Sequence, residues 1–208
     1  MDELKKQAVE SASVGNIHEL RKLIEEDGLS VNTKVTERGS CVLHLAAYGG
    51  HLQAIQSLIR DLGADSKTVR NDGWSVLHAA AEGGHLPTVQ SLIRDFGADP
   101  KGKDNDGVSV LHLAAQGGHL PTVLSLIRDF GADPKGQNKD GLSVLHLAAQ
   151  GGHLPTVQSL IRDFGADPKG QNKDGESVLH SAAHGGHLPT VQSPVSYTHL
   201  TLPTIYSV

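Results

Sequence analysis

Histidine is the side chain of this sequence best suited to chemistry, and its placement is regular. Five histidines stand 34 residues apart at His44, His78, His112, His146 and His180, and five more at His51, His85, His119, His153 and His187. Imidazole ligates metals and moves protons near neutral pH, so a metal centre is the first chemistry to weigh. The densest stretch is HSAAHGGH (180–187), where His180 and His184 would share a helix face at i,i+4 spacing. A zinc site wants at least three protein ligands with ordered supporting partners. This face offers two, so no metal and no cofactor is expected. Cys41 is the single cysteine. A thiol at a helix N-terminus can be activated, but Cys41 holds the place of Ser75, Ser109, Ser143 and Ser177 in later units, and a one-atom swap accounts for it. Asp65, Asp99, Asp133 and Asp167 recur in loop phrases, where carboxylates bond the backbone of turns. Neither GxxxxGK[ST] nor GxGxxG occurs. The pattern carries no enzyme signature.

A repeat positions these residues. Segment 108–141 differs from segment 142–175 only at Val108 against Leu142 and Leu124 against Gln158. A fixed period of this length signals a solenoid, whose units bury their apolar faces against their neighbours. In the unit 74–107, Ser75 precedes the apolar stretch VLHAAA as an N-cap. Gly83 and Gly84 stop that helix. A second helix begins near Leu86, with Pro87 in its first turn and Val89, Leu92, Ile93 and Phe96 as its apolar stripe. Gly97 ends it. The remainder, ADPKGKDNDG, is a polar turn sequence and is expected to form an exposed hairpin.

These motifs resemble the ankyrin-repeat family: SVLHxAA at 75–81, 109–115, 143–149 and 177–183, the Gly-His pair that opens the second helix, and the Gly-Ala-Asp that closes it. The resemblance covers about residues 8–193. It implies an all-α ankyrin solenoid of about five and a half helix-turn-helix units with β-hairpin fingers. Two features depart from the family: Ser-Val replaces Thr-Pro before Leu-His, and the period is 34, with the extra residue near LIRDFG. The resemblance also implies that both histidine positions are structural, bonding the cap residue or the adjoining loop. Residues 1–38 read as a degenerate N-terminal capping unit starting at Met1, with Ile17, Leu20, Leu23 and Ile24 as its stripe and a polar first helix. Residues 39–193 hold the units of period 34, the last truncated.

Composition narrows the functions. Net charge is −5, which argues against the basic stripe that a nucleic-acid binder needs. No run approaches the roughly 18 apolar residues of a membrane span. The start lacks a signal-peptide apolar stretch. A single cysteine fits a reducing compartment, so the expectation is a cytoplasmic protein, with the nucleus as a second location, monomeric, binding no nucleic acid and not inserted in a membrane.

Positions that vary among otherwise copied units carry the functional information. After the turn glycine stand Ser40, Trp74, Val108, Leu142 and Glu176; after Ala-Ala stand Tyr48, Glu82, Gln116, Gln150 and His184. By the family resemblance both series face the concave surface where a partner protein binds, beside Arg70, Asn71, Lys103, Gln137, Lys139, Gln171 and Lys173. Trp74 and Tyr48 are the residue types that dominate interface energies. They are candidate anchors, with local packing on an adjacent finger as the alternative. The implied function is a protein-interaction scaffold without catalysis. The alternatives are a regulatory or targeting arm of a larger enzyme or channel, or an effector secreted into a host cell.

At 190–193 the phrase TVQS recurs, but Pro194 stands where Leu-Ile-Arg-Asp should follow. Proline inside a helix costs roughly 3 kcal/mol, so 194–208 reads as a non-native or disordered tail. Back-translation of Val195–Thr204 resembles a sequencing-library adapter, which makes the sequence a fragment of a protein continuing past Ser193. The rival reading is that Tyr206-Ser207-Val208 resembles a C-terminal ligand that adds a strand to a PDZ domain.

Overall fold

The computed structural model describes residues 3–187, and the break at Pro194 lies outside them. The described residues form α1 (Glu3–Ser13), α2 (Ile17–Glu25), α3 (Val42–Tyr48), α4 (Leu52–Arg60), α5 (Val76–Glu82), α6 (Leu86–Arg94), α7 (Val110–Gln116), α8 (Leu120–Arg128), α9 (Val144–Gln150), α10 (Leu154–Arg162) and α11 (Val178–His184). Odd-numbered helices stack on one another as an inner layer, and even-numbered helices stack behind them as an outer layer.

Each boundary has a local cause. Ser75 is extended (φ −86°, ψ 168°), and its Oγ accepts the His78 backbone N–H at 3.3 Å, which starts α5. Gly84 at φ 76° then turns the chain between the two helices. At the end of α6 the Ala98 N–H bonds Leu92 O at 2.9 Å. This six-to-one closure needs a left-handed residue just before it, and Gly97 at φ 68° supplies it. Regular helix stops at Arg94, so Phe96 sits on the exit turn and packs against the core from there. The Arg of the preceding unit covers it: Arg60 lies 5.3 Å from the Phe96 ring centre, Arg94 5.3 Å from Phe130, and Arg128 5.5 Å from Phe164. These pairs form a cation–π ladder along the outer helices, worth about 0.5–1 kcal/mol per exposed pair.

The core is a column. Leu43, Leu77, Leu111 and Leu145 of the inner helices are almost wholly buried, as are Leu58, Leu92, Leu126 and Leu160 of the outer ones. In the first pair, Leu20 and Leu23 join this column, while Ile17 and Ile24 pack on its edge. Truncating one such leucine to alanine costs about 2–5 kcal/mol. The hairpins are shorter than full strands. Each is a tight turn closed by one antiparallel bridge, Val69 with Ser75, Lys103 with Ser109, Gln137 with Ser143, and Gln171 with Ser177.

Candidate interaction surface

The inner-helix histidines fix the fingers. Nδ1 of His112 accepts the Ser109 backbone N–H at 3.2 Å and lies 2.7 Å from Ser109 Oγ. With Nδ1 accepting, Nε2 carries the proton and donates it to Leu142 O, 3.3 Å away in the next unit. His44 reaches Trp74 O, His78 reaches Val108 O, and His146 reaches Glu176 O in the same way. Burial lowers the pKa of all four rings, to about 4 for His44 and His112, so each stays neutral. The histidines before the outer helices serve packing and loops: His51 Nε2 donates to Ser13 O and His119 Nε2 to Glu82 O, both at 2.8 Å. Among the described residues, no three His, Cys, Asp or Glu side chains are grouped to hold a metal. Cys41 Sγ lies 3.1 Å from His44 Nδ1, in the serine's role, and burial raises its pKa.

The same carbonyls that accept from histidine also accept from their own finger. Arg70 N–H bonds Trp74 O, Asp104 N–H bonds Val108 O, Asn138 N–H bonds Leu142 O, and Asn172 N–H bonds Glu176 O. Backbone bonds then join finger to finger, from Asn71 N to Arg38 O, Asn105 N to Asp72 O, Lys139 N to Asp106 O and Lys173 N to Asp140 O. The row Trp74, Val108, Leu142, Glu176 therefore has a fixed backbone, and its side chains are half-buried.

Other candidates flank this row. Tyr48 (55% exposed), Glu82, Gln116, Gln150 and His184 end successive inner helices and are all exposed. Water is partly withheld from Glu82 despite that exposure, which raises its carboxyl pKa against the pull of Arg70 and Arg38. On the fingers Asn71, Lys103, Gln137, Lys139, Gln171 and Lys173 are exposed. Several of them brace neighbours: Lys103 Nζ donates to Gln137 O at 3.3 Å, Lys139 Nζ to Asn105 O, and Asn71 Nδ2 to Glu37 O at 3.3 Å.

Trp74 is held rather than free. The Arg70 guanidinium lies 4.5 Å from the centre of its ring, Nε1 donates to Asp104 Oδ2 at 2.8 Å, and its stacking partner is His78 at 6.3 Å. Arg70 also pairs with Asp72. In later fingers the residue equivalent to Arg70 is Asp104, Asn138 or Asn172, and its Oδ1 accepts two backbone N–H groups of the turn. Arg70 cannot accept, and Asp72 Oδ1 takes the Trp74 N–H instead, at 3.2 Å. Sequence reasoning missed Asp72 and Asp104. The signal available was Arg70 itself, a residue that cannot accept at a turn position held by Thr36, Asp104, Asn138 and Asn172 in the other fingers.

The chain's helix pairs, capped histidines and fingers define a class of stacked helical repeat. A family model of ankyrin repeats (3 copies) matches residues 7–104, 43–138 and 111–193. The chain belongs to the ankyrin-repeat family. No match is found among curated protein sequences.

Proposed function

We propose that the chain is a protein-interaction module that holds a partner protein on its concave face, as a monomer in the cytoplasm and without catalysis of its own. Ankyrin repeats are generally protein-interaction modules. The single observation that carries the reading is the finger row. In these four units its carbonyls accept the same histidine and finger hydrogen bonds, whereas its side chains run Trp, Val, Leu, Glu. A rigid frame with changing side chains is suited to specific recognition. Nucleic acid is not a target in this reading, since the net charge is −5, and no helix of the described residues is long and apolar enough to cross a membrane.

The test is affinity capture with the wild type, Trp74→Ala and Leu142→Asp, each checked for folding by circular dichroism. A partner retained by the wild type and lost from Leu142→Asp supports the concave face. Equal recovery on all three proteins overturns it, and equal recovery on Trp74→Ala alone removes Trp74 as an anchor.

A further inference from the structure

Glu176 stands where earlier units carry Val108 and Leu142, and its carboxylate is built into place. Asn172 is buried, and its Oδ1 accepts the backbone N–H groups of Asp174 at 3.0 Å and Glu176 at 2.8 Å, which fixes the amide. Its Nδ2 then donates to Glu176 Oε2 at 2.9 Å, while Oε1 lies 3.2 Å from His184 Nε2. In the preceding unit Asn138 is held in the same way, but Leu142 offers its amide no carboxylate. These contacts favour the ionised form and lower the Glu176 pKa.

Among the described residues no lysine or arginine pairs with the Glu176 carboxylate, and its one ion-pair partner is His184, which is charged only when protonated. Three other acids are paired with arginine, Asp72 with Arg70 and both Glu25 and Asp61 with Arg21. The polar contacts of Glu176 among the described residues are an amide and an imidazole. Its side chain is 39% exposed and in line with the apolar Leu142 and Val108. An ionised, pre-positioned carboxylate beside apolar side chains complements a lysine or arginine that follows apolar residues on a partner.

We propose that Glu176 is a cation subsite of the concave groove, receiving a lysine or arginine of the partner protein whose adjoining apolar residues rest on Leu142 and Val108. This rests on the concave-face reading and adds the chemistry of the partner segment to it.

The experiment pans a random peptide library on the whole chain and on Glu176→Gln, Glu176→Lys and Leu142→Asp, with circular dichroism and thermal melts as folding controls. Peptides enriched on the wild type are expected to carry apolar residues next to lysine or arginine. On Glu176→Lys the preference should turn to aspartate or glutamate. By fluorescence anisotropy, an enriched peptide should bind Glu176→Gln about 10-fold more weakly, with a smaller loss of affinity as salt rises. The proposal is overturned if nothing is enriched, if enriched peptides lack a basic residue, or if Glu176→Lys selects the same sequences as the wild type. The two readings fail separately. A captured protein partner lost from Leu142→Asp but kept by Glu176→Lys would leave the concave face standing and remove the cation subsite. A partner kept equally by Leu142→Asp and Trp74→Ala would remove the face itself.

Discussion

The ring of His153 lies against the Cα of Gly118 in the unit before it, so closely that a Cβ on that glycine would stand 2.2 Å from Nδ1 and 2.4 Å from Cγ. The pairing recurs as Gly50 with His85, Gly84 with His119, and Gly152 with His187. Each glycine therefore meets two demands at once. It reverses the chain at positive φ, and it leaves room for an imidazole from the following unit.

The two demands can be separated by experiment. Gly97 has nearly the same φ as Gly118, 68° against 72°, but nothing lies within 4 Å of a Cβ built on it. Alanine at either site pays about 1–2 kcal/mol for the left-handed backbone. At Gly118 it must also displace His153, which adds about 1 kcal/mol or more. Urea denaturation should thus show a larger loss for Gly118→Ala than for Gly97→Ala. Equal losses would mean that the imidazole yields without cost.

The inner-helix histidines make stability depend on pH in a defined window. Burial holds His44 and His112 at about 4 and lowers His78 and His146, against an unfolded value of 6.5. The folded chain thus binds fewer protons than the unfolded chain between those values. The stability from these rings is complete above the unfolded pKa and falls as pH drops from about 6.5 toward 4, by on the order of 3 kcal/mol for a fully shifted ring. The geometry agrees, because a protonated Nδ1 would face the Ser109 N–H that it now accepts. The urea midpoint should drop between about pH 7 and about pH 5, and the drop should be smaller in His112→Gln. A midpoint unchanged over that range would contradict this account.

What could be read from the sequence was whatever each unit decides for itself. The cap at Ser75, the left-handed exit at Gly97 and the apolar stripes follow from residue type at a 34-residue period, and the structural role of both histidine positions followed from the resemblance to ankyrin repeats. Some contacts were hidden because they join residues 30 or more positions apart. Trp74 read as either an interface anchor or a residue packed on an adjacent finger, but its Nε1 partner was not named, because Asp104 sits in the next finger and is itself an ordinary turn residue. The Arg60–Phe96 contact was hidden for the same reason, because a sequence shows the period but not which unit's side chain lies over which neighbour.

Because the units decide so much locally, one should be removable. Deleting residues 108–141 joins Gly107 to Leu142 and leaves the succeeding unit in the same register. Leu145 takes the place of Leu111, Val157 that of Val123 and His146 that of His112, all buried in the same way. The carbonyl that His78 bonds changes from Val108 to Leu142, and Asp104 remains to hold Trp74. A solenoid's stability is approximately a sum over units and their interfaces. The shortened chain should therefore fold cooperatively with unchanged tryptophan emission and a lower melting temperature, one unit and one interface fewer. Deleting 108–133 instead breaks the period and removes helices α7 and α8 without their loop, so the columns of leucine and histidine fall out of line. That variant should be far less stable. If thermal melts place the two deletions at the same temperature, the stability of this chain is not carried by repeat-to-repeat register, and the argument from equivalent interfaces fails.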